Sequence, residues 1–190
     1  MSSAPQFLIV DGYPKESRDQ FDDVGMKLAG DLYADLLMKH MPDAEYRIWY
    51  SSDPGAPTPT DEELADCAGV LWPGCNLTIY HDDPRVHAHL DLVRRAYEAG
   101  APQMGSCWGI QLATTIPGGE TVAHPKGREM GIATNIRLTE AGKGHPMFEG
   151  KPEVYAHFVS HDDHVVRLPE GATLLAGNDW SPIQAVEVRY

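Results

Sequence analysis

Ala101-Pro102-Gln103-Met104-Gly105-Ser106-Cys107-Trp108-Gly109-Ile110-Gln111 is the stretch whose reading decides the fold. Residues 103–106 are expected to form a short strand entering from a break at Gly100, and the run from Ile110 to Thr114 can start a helix. Glycines two residues before and two after Cys107 permit a tight turn, so that the side chain projects from the strand's end toward a helix N-terminus. Unpaired N–H groups and the positive dipole end at that position favour a thiolate. A lone cysteine is otherwise a small apolar residue, which is the reading for Cys67. The strand–Gly-x-Cys-x-Gly–helix context makes Cys107 a candidate nucleophile instead.

Working outward, Phe7-Leu8-Ile9-Val10 is a continuous apolar run closed by Asp11-Gly12, as expected of a strand buried on both faces. From Asp22 to His40 apolar residues recur at helical spacing until Met41-Pro42, which predicts one helix. Tyr46–Tyr50 and Gly69–Trp72 read as strands, Thr60-Asp61-Glu62-Glu63 as a helix start, and residues 86–98 as a helix with Leu90, Val93, Ala96 and Tyr97 on its inner face. Pro54-Gly55-Ala56-Pro57-Thr58-Pro59 is a loop, not a linker. This alternation implies an α/β fold, a mostly parallel open sheet with helices on both faces. After Gly119 come short strands at 132–138, 154–158, 173–176 and 183–190, so that part should be more antiparallel. Catalytic groups of such folds sit beyond the carboxyl ends of the parallel strands. Both the Cys107 turn and the Pro73-Gly74 loop fall there.

Gly105-Ser106-Cys107-Trp108-Gly109-Ile110-Gln111 resembles the nucleophile motif of the class I glutamine amidotransferases, most of all their stand-alone, GMP synthase-like members. Leu71-Trp72-Pro73-Gly74-Cys75-Asn76-Leu77-Thr78-Ile79-Tyr80 is similar to the family's strand and oxyanion loop. Pro117-Gly118-Gly119 and Gly127-Arg128-Glu129-Met130-Gly131 resemble segments that follow the nucleophile helix. Val159-Ser160-His161-Asp162-Asp163-His164-Val165 is similar to the family's Ser-His-Gly-Asp-x-Val, with Asp162 in place of the usual Gly. The resemblance implies that Cys107 attacks the side-chain amide of glutamine and forms a thioester. Backbone N–H groups of Gly74, Cys75 and Trp108 would hold the oxyanion, and Gln111, Ser160 and His161 would bind substrate. It implies no cofactor, and ammonia passed to an acceptor or to a separate synthetase. Read without the resemblance, Gly74 is equally a strand-end turn and Gln111 a surface helix residue.

The family completes its triad with a His-Pro-Glu on a late strand, and residues 1–190 contain none. The single amidotransferase-like domain is therefore expected to be shortened at its C-terminus, and residues 1–190 alone to hydrolyse glutamine near background. The rival reading is a non-catalytic binding or regulatory module of the same fold. His161 is the candidate base should residues 1–190 hold one.

Composition sets the remaining bounds. A chain of 190 residues with 42% hydrophobic content can build a substantial core. The net charge of −13 repels a phosphate backbone, so nucleic acid is not an expected partner. Three cysteines without a Cys-x-x-Cys pair suit a reducing cytoplasm, and no apolar stretch is long enough for a membrane span. His157-x-x-x-His161-Asp162-Asp163-His164 and His81-Asp82-Asp83 with His87 and His89 are rich in potential ligands. They read as solvated surface, with residues 160–163 as a loop and Asp82-Asp83-Pro84 as a helix cap, and no metal is expected. His124 and His145, each preceding a proline, read as solvated turn residues.

Overall fold

The computed structural model describes residues 4–189. Two compact units make up the chain, one ending at Leu112 and the other beginning at Ala113.

The first unit is built on four parallel strands: β1 (Gln6–Asp11), β2 (Glu45–Tyr50), β3 (Gly69–Trp72) and β4 (Gln103–Gly105), in spatial order β2-β1-β3-β4. Successive β1 residues point to opposite faces, and Leu8, Ile9 and Val10 are all at most 2% exposed, so both faces of the central strand are covered. An unexpected helix, α1 (Lys15–Asp23), precedes α2 (Ala29–His40), and the single helix expected from Asp22 to His40 is not continuous. Gly25 breaks it: at φ +67 it turns the chain left-handed, while Met26 N–H donates to Phe21 O and Gly25 N–H to Asp22 O, a Schellman ending. The buried Asp11 carboxylate then accepts from Gly30 N–H at 2.9 Å, tying the start of α2 to the end of β1. Helix α3 (Asp61–Asp66) carries a full capping box between Thr60 and Glu63.

Helix α4 (Pro84–Glu98) has Asp83 as N-cap and Pro84 in its first turn, as the sequence suggests. Its buried residues are Val86, His89, Leu92, Val93 and Ala96, so the inner face is rotated from the one expected around Leu90 and Tyr97 and includes a histidine. Strand β4 leads through Ser106 and Cys107 into α5 (Trp108–Thr115).

The second unit is antiparallel, as expected. Strands β5 (Glu120–Ala123), β6 (Glu129–Leu138), β7 (Val154–His161), β8 (Asp163–Arg167), β9 (Thr173–Gly177) and β10 (Ala185–Glu187) form a β5-β8 pair and a sheet of order β10-β9-β6-β7. Residues 160–163, expected as a loop, instead end one strand and start the next with a single bend at Asp162, because β7 pairs with β6 through His161↔Glu129. The terminal strand is confined to 185–187, and Tyr190 lies outside the described residues. Ala133, Ile136, Leu138, Phe148, Leu175 and Ala176 form this unit's core. Among the described residues no helix is long and apolar enough to cross a membrane.

Candidate active site

Cys107 sits between the end of β4 and the first residue of α5, with φ at +55. Left-handed backbone costs a non-glycine residue about 1–2 kcal/mol, and it persists only where the surroundings impose it. Trp72 imposes it. A Cβ on Gly105 would lie 2.7 Å from Trp72 O, and one on Gly109 would lie 3.0 Å from the same oxygen. Ser106 N–H also donates to Trp72 O at 3.1 Å. The two glycines therefore let strand end, helix start and β3 pack closely, while the unusual dihedral falls on the cysteine itself. That division of labour differs from the sequence reading, which gave the turn to the glycines. Tyr33 Oη and Ser106 Oγ, 2.7 Å apart, brace the turn from α2.

The loop after β3 faces this turn. A Cβ on Gly74 would rest 3.4 Å from Cys107 Cβ and 3.5 Å from its Sγ. Cys75, next along, accepts from Leu77 N–H, and burial pushes its thiol well above the usual range. Trp108 is 2% exposed and its Nε1–H donates to His89 Nδ1 at 3.2 Å. Gln111, one helical turn past Cys107, is buried at 6%, which excludes the surface reading. Cys67, Cys75 and Cys107 are in no disulfide.

Ser160 and His161 belong to the second unit, at the end of β7. Ser160 is exposed. His161 Nε2 lies 3.0 Å from Glu129 Oε2 and its Nδ1 lies 2.9 Å from Asp163 O, so an oxygen acceptor stands opposite each ring nitrogen. Glu129 also accepts from Ser181 Oγ at 2.9 Å, from Gln184 Nε2 at 3.1 Å and from Asn178 Nδ2 at 3.3 Å. Asp162, at the position where glycine was expected, pairs with Arg128 at 2.7 Å on the surface. His124 is not a solvated turn residue. It is buried, stacked on Trp180 and in contact with the His164 ring, whose pKa burial lowers. His145 caps the short turn Pro146–Phe148 by accepting from Met147 N–H. Among the described residues no three His, Cys, Asp or Glu side chains gather as a metal ion requires.

The profile of the family described as Glutamine amidotransferase class-I matches residues 56–189. The chain belongs to that family. Among relatives, a γ-glutamyl-L-1-hydroxyisopropylamide hydrolase from Pseudomonas sp. is 32% identical over 97% of this chain and 63% of its own length. A glutamine-hydrolysing GMP synthase from Streptomyces avermitilis is 33% identical over 83% of this chain and 28% of its own. The chain thus spans less than two thirds of the length of these curated relatives. A glutamine amidotransferase structure from Thermotoga maritima superposes with TM-score 0.69 at 15% identity, covering 98% of this chain and 72% of that one. Another, from Methylobacillus flagellatus, gives 0.66 at 21% identity, covering 98% and 66%. These two likenesses speak to the class I amidotransferase fold.

Sequence reasoning missed His89 and Glu129 as parts of these arrangements. His89 was visible only as one of several histidines, although its spacing of three from both Val86 and Leu92 was a signal of burial. Glu129 stood inside a quoted motif, but its partners Asn178, Ser181 and Gln184 come from some fifty residues further along, and pairings at that distance leave no local pattern.

Proposed function

We propose that this protein cleaves the γ-amide of glutamine by covalent catalysis at Cys107. The observation that carries this reading is Cys107 held at φ +55 between a parallel strand and a helix, with Gly74 against its sulfur. The Cys107 thiolate adds to the γ-carbonyl carbon, and the carbonyl oxygen takes the negative charge. Backbone N–H groups of Trp108, Gly74 and Cys75 are its donors. On collapse the C–N bond breaks and the nitrogen leaves as ammonia with a proton returned from solvent, where ionisation of the Cys107 thiol released it, and water then hydrolyses the thioester to glutamate and the thiol. Gln111, Ser160 and His161 are the residues assigned to binding the α-amino and α-carboxylate groups. With both ring nitrogens of His161 facing protein acceptors, neither is open to relay a proton from Cys107.

The family match runs through both units, which supports reading residues 1–190 as one amidotransferase domain. The GMP synthase relatives support transfer of ammonia to an acceptor on a separate synthetase, and three cysteines outside any disulfide suit a reducing, cytoplasmic setting. A second reading keeps the chemistry and changes the leaving group: the Pseudomonas relative, which matches 97% of this chain, acts on an N-substituted γ-glutamyl amide. A third reading is a non-catalytic module of the same fold. Glutamate release from glutamine and from N-alkyl glutamines, with and without Cys107→Ala, separates the three. Cys107-dependent release from glutamine supports the main reading. Release only from the N-alkyl amides supports the second, release from neither supports the third, and release that survives Cys107→Ala rejects Cys107 catalysis.

A further inference from the structure

His89, expected from the sequence as solvated surface beside His81-Asp82-Asp83, is instead 0% exposed and touches both sides of the Cys107 turn. Its ring sits between the indoles of Trp72 and Trp108, edge-on to each, at centroid distances of 6.4 and 5.9 Å. A Cβ on Gly12 would lie 2.8 Å from His89 Cε1 and 3.3 Å from Cys75 Cβ, so the imidazole also borders the loop that carries Gly74 and Cys75.

The hydrogen bonds fix its tautomer. An indole Nε1–H only donates, so His89 Nδ1, at 3.2 Å from Trp108 Nε1, must be the acceptor. The proton of the neutral ring is then on Nε2 and donates to Ser51 Oγ at 2.5 Å, and Ser51 in turn donates to Asp11 O at 3.4 Å. A directed chain thus runs from the residue after the cysteine, through His89 and Ser51, to the last residue of the central strand. Burial lowers the pKa of His89 to about 4, which keeps the ring in this neutral, accepting form.

We propose that His89 is a positioning residue for the oxyanion site: by holding the Trp108 indole it fixes the peptide whose N–H receives the developing charge. This rests on the reading of Cys107 as the nucleophile. The bland alternative is a core histidine that merely satisfies a buried indole, and the two differ in what they do to chemistry. A positioning role affects a reaction that generates an oxyanion and leaves alone one that does not.

The γ-(4-nitrophenyl) ester of glutamate provides the first kind. The Cys107 thiolate adds to the ester carbonyl, the oxygen takes the charge, and on collapse the C–O bond breaks and 4-nitrophenolate leaves with the electron pair. Iodoacetamide provides the second kind, because displacement of iodide at a saturated carbon creates no oxyanion. The test compares the 4-nitrophenolate burst rate with the rate of Cys107 alkylation in the unmodified protein, His89→Phe, His89→Asn and Trp108→Phe. Expected are a burst slowed about tenfold or more in His89→Phe, alkylation within about twofold, and recovery in His89→Asn, whose amide oxygen replaces Nδ1 as acceptor. Trp108→Phe, which keeps an aromatic ring and the backbone N–H but loses the indole donor, should show the same selective loss and covers the case in which His89→Phe does not fold. Equal loss in both reactions, or no loss in either, overturns the proposal. Absence of a burst in the unmodified protein, with Cys107 no more reactive than Cys67, brings down the nucleophile reading itself and is recognisable because no variant is needed to see it.

Discussion

Glu129 Oε2 and His161 Nε2 lie 3.0 Å apart, and both side chains are largely withdrawn from solvent, at 9% and 15% exposure. A carboxylate so placed is tolerable only when hydrogen-bonded, and Ser181, Gln184 and Asn178 complete its partners. The pair joins β6 to β7, and the residues around it fasten the segment 178–184 to the same point.

Glu129→Ala should therefore destabilise the second unit by about 1–3 kcal/mol, since it leaves the largely buried His161 ring and Ser181 without their acceptor. Glu129→Gln, which preserves shape and one acceptor oxygen, should cost less. Urea unfolding followed by circular dichroism measures both, and equal midpoints for Glu129→Ala and the unmodified protein would contradict this assignment.

Acid should weaken the first unit through His89. Its pKa is lowered to about 4 in the folded protein from an ordinary 6.5, with burial as the main cause, Asp83 opposing the shift and Arg85 adding to it. Above pH 6.5 neither state binds the proton. As pH falls from 6.5 to 4 the unfolded chain takes it up first, so stability is lost across that window and the loss levels off below pH 4. The full difference is about 3 kcal/mol. His89→Asn removes this contribution, so the gap in unfolding free energy between the two proteins should change in that window; a gap independent of pH contradicts the assignment.

The three thiols should separate by reactivity. Burial raises the pKa of Cys67 and raises that of Cys75 further, whereas Cys107 adjoins the N-terminus of α5. Limited treatment with iodoacetamide followed by peptide mass spectrometry should find Cys107 carrying most of the label. Preferential labelling of Cys67 would remove the basis for a nucleophile at the turn.

Gly74→Ala tests the opposite wall. The added methyl meets Cys107 Cβ and Sγ at ordinary contact distance, so the fold should hold and the unfolding midpoint should scarcely move. The space a substrate carbonyl would occupy is nevertheless filled, and acylation by a γ-glutamyl ester should fall by about a hundredfold. Unchanged acylation would place the oxyanion elsewhere.

Much of the first unit was legible because its signals are local. The apolar run at Phe7–Val10, the Thr60–Glu63 capping box and Asp83-Pro84 before α4 each announce an element within a few residues. The Cys107 turn was legible for the same reason. What the sequence obscured depends on distant contacts. Helix α1 is strongly polar, with Arg18 as its buried residue, so no apolar period announced it or the break at Gly25. Likewise, Ser160 to Asp163 looks like a polar loop until the register with Glu129 makes it strand. His124 lies under Trp180, fifty-six residues away, and no spacing rule connects them.

The central claim is covalent chemistry at Cys107, and the most direct test is to locate the acyl group. The protein is exposed to the γ-(4-nitrophenyl) ester of glutamate, quenched in acid and mapped by peptide mass spectrometry. The account predicts one γ-glutamyl group per chain, on the peptide holding Cys107, and none in Cys107→Ala. A γ-glutamyl group on another residue, or no adduct together with ester turnover that survives Cys107→Ala, would contradict it.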